Sequence, residues 1–141
     1  AGALSLLPEI PEDPLLVLNG DVLTRVPLPS LLRFHREHQA VATICIREHE
    51  TLIPFGVVET NGTRMVALEE KPTLIHYVNA GIYVLSPQIW EHLQRDEACD
   101  MPELLESIQQ SNEPVHAFPI HEYWLDVGHP ETLKRAHQEW S

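Results

Sequence analysis

The stretch LLVLNGDVLT, Leu15–Thr24, indicates the class of fold. Its four leading apolar residues do not alternate with polar ones, and they run directly into Asn19-Gly20-Asp21. Such runs are typical of a strand buried on both faces, as in a parallel sheet. Ligands of open α/β sheets bind beyond the carboxyl ends of the strands, so Asp21 is a candidate ligand-binding residue. The alternative is a polar turn in which Asp21 caps a local backbone group.

The segments that follow predict an α/β domain with a mixed sheet flanked by helices. A helical stripe in PLPSLLRFHREHQA, with Ser30 as a candidate N-cap, precedes the β-branched strand AVATICIRE. FGVVETNGTRMVALEEKP predicts two strands joined by Asn61-Gly62, the favoured type I′ hairpin turn. HYVNAGIYVLSP predicts another strand, after which Ser86-Pro87 opens a helix.

The two ends of the chain add further elements. Asp100 and Glu103 in CDMPELLESIQQ predict a capping box, VHAFPIH predicts a strand, and Pro130 lies near the start of a final helix. The opening AGALSLLPEIPEDP predicts a helix that ends before Pro8. Because a domain seldom starts inside a helix, we expect Ala1 to be a cut rather than a natural beginning. We expect residues 1–141 to lie within a single domain.

The composition excludes several classes of partner. Nine Lys plus Arg against 21 Asp plus Glu give a formal net charge of −12, which argues against a nucleic-acid partner. An acidic chain can still bind a small phosphate ligand where a metal ion bridges the carboxylates and the phosphates. Absence of a long apolar run or signal segment, and two cysteines without metal-type spacing, predict a cytoplasmic protein with no membrane partner. The nine scattered histidines are interpreted as solvated or packing residues.

Two further segments carry candidate site residues with charged side chains. In LEEKP, strand alternation up to Pro72 predicts that Glu69 and Lys71 share one face, although a surface ion pair is the alternative. In YWLDVGHPE, Asp126 is either a second carboxylate ligand for a divalent cation or the N-cap of the last helix. Trp124, two residues earlier, is expected near the same site.

Small and amide residues form a second group of candidates. YVNAGIYVL places Asn79 in an otherwise apolar strand, where we expect its amide to be buried and paired with backbone or with a ligand. Ala80 and Gly81 beside it would leave room for that ligand, or would mark a close strand crossing. Gly56 in IPFGVVE is placed similarly, early in a strand.

Taken in order and spacing, these motifs resemble those of the sugar-phosphate nucleotidyltransferases. The segments are LNGD, PFGVVE, EEKP, VNAGIYVL and WLDVGHPE, and the opening AGAL resembles the family's GTAGAL segment. Within this family, the sequences of the motifs most resemble those of the mannose-1-phosphate guanylyltransferase-like group. The resemblance implies a Rossmann-like, glycosyltransferase-A-like fold. It also implies that a nucleoside triphosphate, with GTP weakly favoured, and a sugar 1-phosphate react to an NDP-sugar and pyrophosphate.

The resemblance also assigns roles to the candidate residues. Asp21 and Asp126 would be the ligands of Mg²⁺, the implied cofactor, and Lys71 would act with them in catalysis by binding the sugar's phosphate. Glu69 would bind sugar hydroxyls, and the sugar pocket would be lined by Gly56, Asn79, Ala80 and Gly81. Two of the alternatives stay open. One is a non-catalytic, nucleotidyltransferase-like regulatory subunit, and the other is an unrelated α/β domain.

One departure from the family pattern has consequences for activity. The signature loop GGxGxRLxPLT, with the lysine of a following KP pair, has no counterpart in these residues. The chain therefore resembles an N-terminally truncated, C-terminal portion of the enzyme, and we expect it to be inactive alone. The missing first strand would leave Leu15–Leu18 with an unpaired apolar edge, which is an aggregation hazard. We expect this edge to be covered by another chain, as in a homo-oligomer, by a swapped element or by a rearranged contact.

Overall fold

The structure, a computed structural model, describes residues 1–140. The chain divides into two compact units. The first contains Ala1–Ile46 and continues from Asn79 onward, and the second is Arg47–Val78. No helix within residues 1–140 is long and apolar enough to cross a membrane.

A four-stranded mixed sheet has the order β1-β6-β3-β7, which confirms the predicted α/β class with a mixed sheet. Its strands are β1 (Leu15–Leu18), β3 (Ala42–Leu52), β6 (Thr73–Leu85) and β7 (Val115–Pro119). β1 runs antiparallel to β6, whereas β3 and β7 are parallel. β1 is an edge strand, so the expected unpaired edge of Leu15–Leu18 is confirmed. The predicted parallel, doubly buried setting was wrong, because β1 pairs with β6 in antiparallel register and its residues are half-buried or exposed.

The core lies on both faces of this sheet. Alternate side chains of β6 point to opposite faces, so Ile82 and Val84 join one buried cluster while Tyr83 and Leu85 join another. The first cluster includes residues of α1 (Leu28–Glu37), and the second includes residues of α2 (Met101–Gln110). The sheet is therefore covered by a helix on each side, as predicted for helices flanking the sheet.

The helix starts show which capping signals operate. The capping box of Asp100 and Glu103 is confirmed in both directions, with bonds of 2.8 Å and 2.9 Å. Ser30 is not the N-cap of α1. The helix begins at Leu28, after Pro27, because a proline inside the first turn already starts the helical geometry.

Two predicted helices are short 3₁₀-helices. One spans Gly2–Leu6 and ends before Pro8, and the other spans Pro87–His92 after the extended Ser86. The final helix, α3 (Pro130–Glu139), begins at Pro130 as predicted. The i→i+3 bonding of the 3₁₀-helices suits short connectors.

A separate two-stranded ladder was not predicted. It joins β2 (Val22–Thr24) to β8 (Trp124–Asp126) in antiparallel register. Each strand has three residues, too few for a periodic pattern in sequence, and the two partners lie far apart along the chain. This ladder places the LNGD and WLDVG motifs side by side.

The second unit is built around the predicted hairpin, β4 (Gly56–Asn61) and β5 (Arg64–Glu70). The turn type was predicted incorrectly. Its central residues are Gly62 and Thr63, and only Gly62 has a positive φ, of 62°. A single positive φ at the first central position is typical of a type II′ turn.

Candidate active site

The β2–β8 ladder brings the two predicted metal ligands together. Asp126 is the register partner of Val22, the residue after Asp21. The Val127 N–H donates to the Asp21 carbonyl at 2.8 Å, which holds the two segments together just beyond the ladder. The Gly128 N–H donates to Asp126 Oδ1 at 2.8 Å and orients that carboxylate. The two residues are therefore neighbours, although Asp21 directly precedes β2 and Asp126 is the last residue of β8.

Gly128 lies beside both carboxylates. A Cβ built on Gly128 would lie 3.0 Å from Asp126 Oδ1 and 3.2 Å from Asp21 Oδ2. Both oxygens therefore face the same small volume beside the glycine. The two aspartates are exposed, so water and ligands reach them.

The carboxylate oxygens of Asp21 and Asp126 suit a hard divalent cation. Mg²⁺ prefers oxygen ligands and is usually held by one or two carboxylates together with substrate phosphates and water. Within the described residues, no group of three or more His, Cys, Asp or Glu side chains converges as a metal site. The two aspartates fit an ion that takes its remaining ligands from phosphates rather than one enclosed by the protein alone.

The alternative role proposed for Asp126 is excluded by the structure. The N-cap position of α3 is His129, and no side-chain cap hydrogen bond is formed there. Oδ1 of Asp126 instead accepts the Gly128 N–H, within its own turn.

The LNGD loop is anchored on β6 at Gly81. The Asn19 N–H donates to the Gly81 carbonyl at 2.8 Å. Gly81 has a φ of 70°, and a Cβ there would approach Asn19 Nδ2 to 2.8 Å and Val22 Cγ2 to 3.1 Å. Both the backbone conformation and the close approach of the loop require glycine at this position. Gly81 thus fits the predicted close crossing.

Asn79 and Ala80 are tied to the same region by hydrogen bonds. Oδ1 of Asn79 accepts the Gly81 N–H at 2.8 Å, and Nδ2 donates to the Tyr83 hydroxyl at 2.7 Å. The residue is exposed, so the expectation of a buried amide was wrong, whereas the expected pairing with backbone is confirmed by the Gly81 N–H. Trp124 Nε1 donates to the Ala80 carbonyl at 2.7 Å, which ties β8 to β6. Sequence reasoning did not single out Tyr83, whose only signal was its position four residues after Asn79.

The remaining predicted residues lie on the second unit, where the hairpin register fixes their faces. Gly56 pairs with Glu70, and Oε2 of Glu70 would lie 3.0 Å from a Cβ on Gly56. Glu69 pairs with Val57, so its side chain points to the face of the hairpin opposite to that of Glu70. The alternation argument does not extend to Lys71. β5 ends at Glu70, and Lys71 adopts a φ of 47° while its N–H donates to the Phe55 carbonyl at 3.2 Å.

A cavity of about 790 Å³ lies elsewhere in the first unit. It is lined by the first 3₁₀-helix and by the segment around Cys99, and none of the predicted site residues contributes to it. Asp21 and Asp126 instead lie exposed at the surface. Volume alone therefore does not identify the site in this chain.

Comparison with protein families gives a match over almost the whole chain. The family model described as nucleotidyl transferase matches residues 2–141. The mannose-1-phosphate guanyltransferase beta-A of Xenopus laevis is 27% identical over 158 aligned positions, covering 99% of this chain and 44% of that protein. The catalytic subunit beta of mannose-1-phosphate guanylyltransferase from Dictyostelium discoideum is 30% identical over 138 positions, covering 93% and 38%. The chain thus spans less than half the length of these relatives.

Solved structures support the fold. A candidate glucose-1-phosphate thymidylyltransferase from Bacillus anthracis matches with a TM-score of 0.64 at 16% identity, covering 92% of this chain and 55% of that one. HddC from Yersinia pseudotuberculosis, complexed with GMP-PN, matches with a TM-score of 0.62 at 20% identity, covering 92% and 56%. At these identities the likeness concerns the fold alone, and it confirms the Rossmann-like nucleotidyltransferase class.

Proposed function

The chain belongs to the nucleotidyl transferase family, and we propose that it supplies the metal-binding and sugar-binding residues of a sugar-1-phosphate nucleotidyltransferase. In the proposed reaction, a phosphate oxygen of the sugar 1-phosphate attacks the α-phosphorus of a nucleoside triphosphate. A new P–O bond forms as the bond between the α- and β-phosphates breaks. The products are an NDP-sugar and pyrophosphate. The names of the similar guanylyltransferases favour GTP and mannose 1-phosphate as the first substrates to test.

The observation that carries this proposal is the convergence of Asp21 and Asp126 on the space beside Gly128. Two aspartates from motifs far apart in sequence are exposed neighbours. A backbone bond from Val127 to the Asp21 carbonyl joins their segments, and the Gly128 N–H orients the Asp126 carboxylate. Phosphoryl-group transfer depends on positioning and charge stabilisation more than on a protein nucleophile. A bound Mg²⁺ would supply that stabilisation by neutralising charge on the phosphates. The protein's part is to hold the two carboxylates close together before substrates arrive.

The other residues are assigned by the family resemblance. Lys71 would bind the sugar's phosphate as a point charge, and Glu69 would accept hydrogen bonds from sugar hydroxyls. Gly56, with Ala80 and Gly81, would allow close approach of the sugar. The amide of Asn79 retains donor and acceptor capacity beyond its two internal bonds, so it remains available to a hydroxyl.

We further propose that this chain does not turn over substrate by itself. The glycine-rich loop that would hold the triphosphate has no counterpart in the sequence, and the chain spans less than half of its relatives. β1 is an edge strand with Leu18 exposed, so a covering contact, such as a second copy of the chain, would protect it. A cytoplasmic location remains a prediction from the sequence.

The test measures pyrophosphate release in the presence of Mg²⁺. It is carried out on this chain and on a longer protein that contains both this chain and a glycine-rich loop. The panel pairs GTP and the other nucleoside triphosphates with mannose 1-phosphate and other hexose 1-phosphates. Asp21→Asn is compared with Asp13→Asn, an exposed aspartate in another turn that loses the same charge. We expect Asp21→Asn to lower kcat/KM by about 10²-fold or more, as loss of a charge-stabilising group does, and Asp13→Asn to leave it unchanged.

Three outcomes separate the possibilities. Turnover that collapses only in Asp21→Asn supports the proposal and identifies the substrates. Full activity of Asp21→Asn would overturn the metal role. Nucleotide or sugar-phosphate binding without turnover for any pair would favour the non-catalytic regulatory subunit instead.

A further inference from the structure

We propose that Gly128 is itself a part of the cation site, because the absence of its side chain keeps open the space that Asp21 and Asp126 face. This inference rests on the proposed function and adds a residue to it. A glycine next to an acidic motif has several ordinary explanations, and the structure allows each of them to be tested separately.

The backbone does not require glycine at position 128. Among the described residues, the glycines with positive φ are Gly62 and Gly81, and Gly128 is not one of them. An alanine would therefore adopt the same backbone conformation without the strain of the left-handed region. Gly128 is also exposed, so close packing in the core does not explain it either.

The contacts of an added side chain explain it instead. A Cβ on Gly128 would lie 3.0 Å from Asp126 Oδ1 and 3.2 Å from Asp21 Oδ2, both closer than ordinary van der Waals contact. Asp126 cannot retreat easily, because its Oδ1 is held at 2.8 Å by the Gly128 N–H. Asp21 can retreat only by turning its carboxylate away from the shared space. Each adjustment separates the two oxygens or leaves a methyl group where a shared cation would lie.

Gly20 provides a matched control on the other side of the site. It directly precedes Asp21, it also lacks a positive φ, and a Cβ built on it meets no atom within 4 Å. Gly20→Ala and Gly128→Ala are thus the same substitution at two exposed glycines near the carboxylates. Only the second places a methyl group within 3.2 Å of an oxygen of each carboxylate.

The experiment measures Mn²⁺ binding by paramagnetic broadening of backbone amide signals in the 141-residue chain, first with Mn²⁺ alone and then with inorganic pyrophosphate present to supply phosphate ligands. In the wild type we expect the signals of Asp21, Val127 and Gly128 to broaden first. Gly20→Ala should follow the wild-type titration. Gly128→Ala should need about tenfold or more Mn²⁺ for the same broadening, a loss comparable to that of disrupting groups that orient metal ligands. Dispersion of the other amide signals and an unchanged melting temperature would show that the variant folds.

The outcomes distinguish this inference from the proposed function. If Gly128→Ala folds and binds Mn²⁺ as the wild type does, the role of Gly128 is wrong while the carboxylate site stands. If Gly20→Ala loses binding equally, proximity to the loop rather than the space beside Gly128 is responsible, and the inference again fails. If the wild type shows no selective broadening at these amides, with or without pyrophosphate, the proposed metal site and the inference are both overturned.

Discussion

The two units of this chain use similar strands in opposite surroundings. In the first unit, Val84 and Leu85 of β6 are fully buried at 0% exposure. In the second, Val58 of β4 and Leu68 of β5 are 51% and 59% exposed. All residues of β4 and β5 are exposed, although their hydrogen-bond ladder is complete enough to define a register. Regular strand geometry therefore forms in both units, but only the first unit adds a packed core to it.

This difference bears on how the candidate residues are held. Asp21 and Asp126 lie in the unit with the buried core, on segments linked by backbone hydrogen bonds. Gly56, Glu69 and Lys71 lie on the hairpin unit. A two-stranded hairpin without a covered face is only marginally stable in water. We therefore expect Asp21 and Asp126 to be rigidly placed, and Gly56, Glu69 and Lys71 to depend on local structure of low stability.

The largest expected effect is the difference in stability between two leucine-to-alanine variants, one in each unit. Leu104→Ala removes a fully buried side chain and should lower the free energy of unfolding by about 2–5 kcal/mol. Leu68→Ala removes an exposed side chain and should change it by about 0.5 kcal/mol or less. Urea denaturation of both variants measures the difference. Equal losses would show that the hairpin is packed as firmly as the core.

Two glycines with similar backbone conformations sharpen the comparison. Gly81 and Gly62 have φ values of 70° and 62°, so alanine is strained at both positions. At Gly62 nothing lies within 4 Å of a Cβ, and we expect a cost of about 1 kcal/mol from the backbone alone. At Gly81 the contact with Asn19 Nδ2 adds overpacking, for a total of about 2–4 kcal/mol.

Denaturation followed at amide signals of each unit separates the two glycine effects. Gly81→Ala should also shift the amide signals of the LNGD loop, because the added methyl group displaces Asn19. An equal cost for both variants would mean that the loop moves freely away from β6.

The smallest effect is a pH dependence confined to the first unit. His35 is buried and bonded through Nδ1 to the Thr43 hydroxyl at 2.7 Å and through Nε2 to Ser86 Oγ at 2.8 Å. The Ser86 hydroxyl donates onward to the Ala40 carbonyl at 2.9 Å. Burial lowers the pKa of His35 below its usual value, and the nearby charges of Arg36 and His116 lower it further.

The sign of the pH effect follows from proton uptake. Below the ordinary histidine pKa of about 6.5, the unfolded chain binds a proton at His35 that the folded chain resists. The stability that the folded state gains from neutral His35 is therefore complete above about pH 6.5. It is lost as the pH falls toward the lowered pKa of His35 in the folded state, and the free energy of unfolding then changes by at most about 1.4 kcal/mol per pH unit. His35→Gln should flatten this slope in urea denaturation between pH 5 and 7, and His76→Gln, at an exposed position of β6, is the matched control. An unchanged slope in His35→Gln would contradict the assignment.

Local sequence signals predicted the elements that depend on neighbouring residues. The hairpin around Gly62 and the capping box of Asp100 and Glu103 were both predicted, because each is decided within a few residues. The same reasoning failed where a second segment decides the outcome. The direction of β1 depends on β6, and the Ser30 cap was displaced by the competing prolines Pro27 and Pro29.

The sequence by itself determined the class of fold, the family and the short list of residues that resemble the family's motifs. Only the tertiary structure decided which of those residues are neighbours. Asp21 and Asp126 meet because two three-residue strands from distant parts of the chain pair with each other, and Gly128 faces both carboxylates for the same reason. Pairing over such a separation depends on the packing of the whole unit, which no local pattern of residues records.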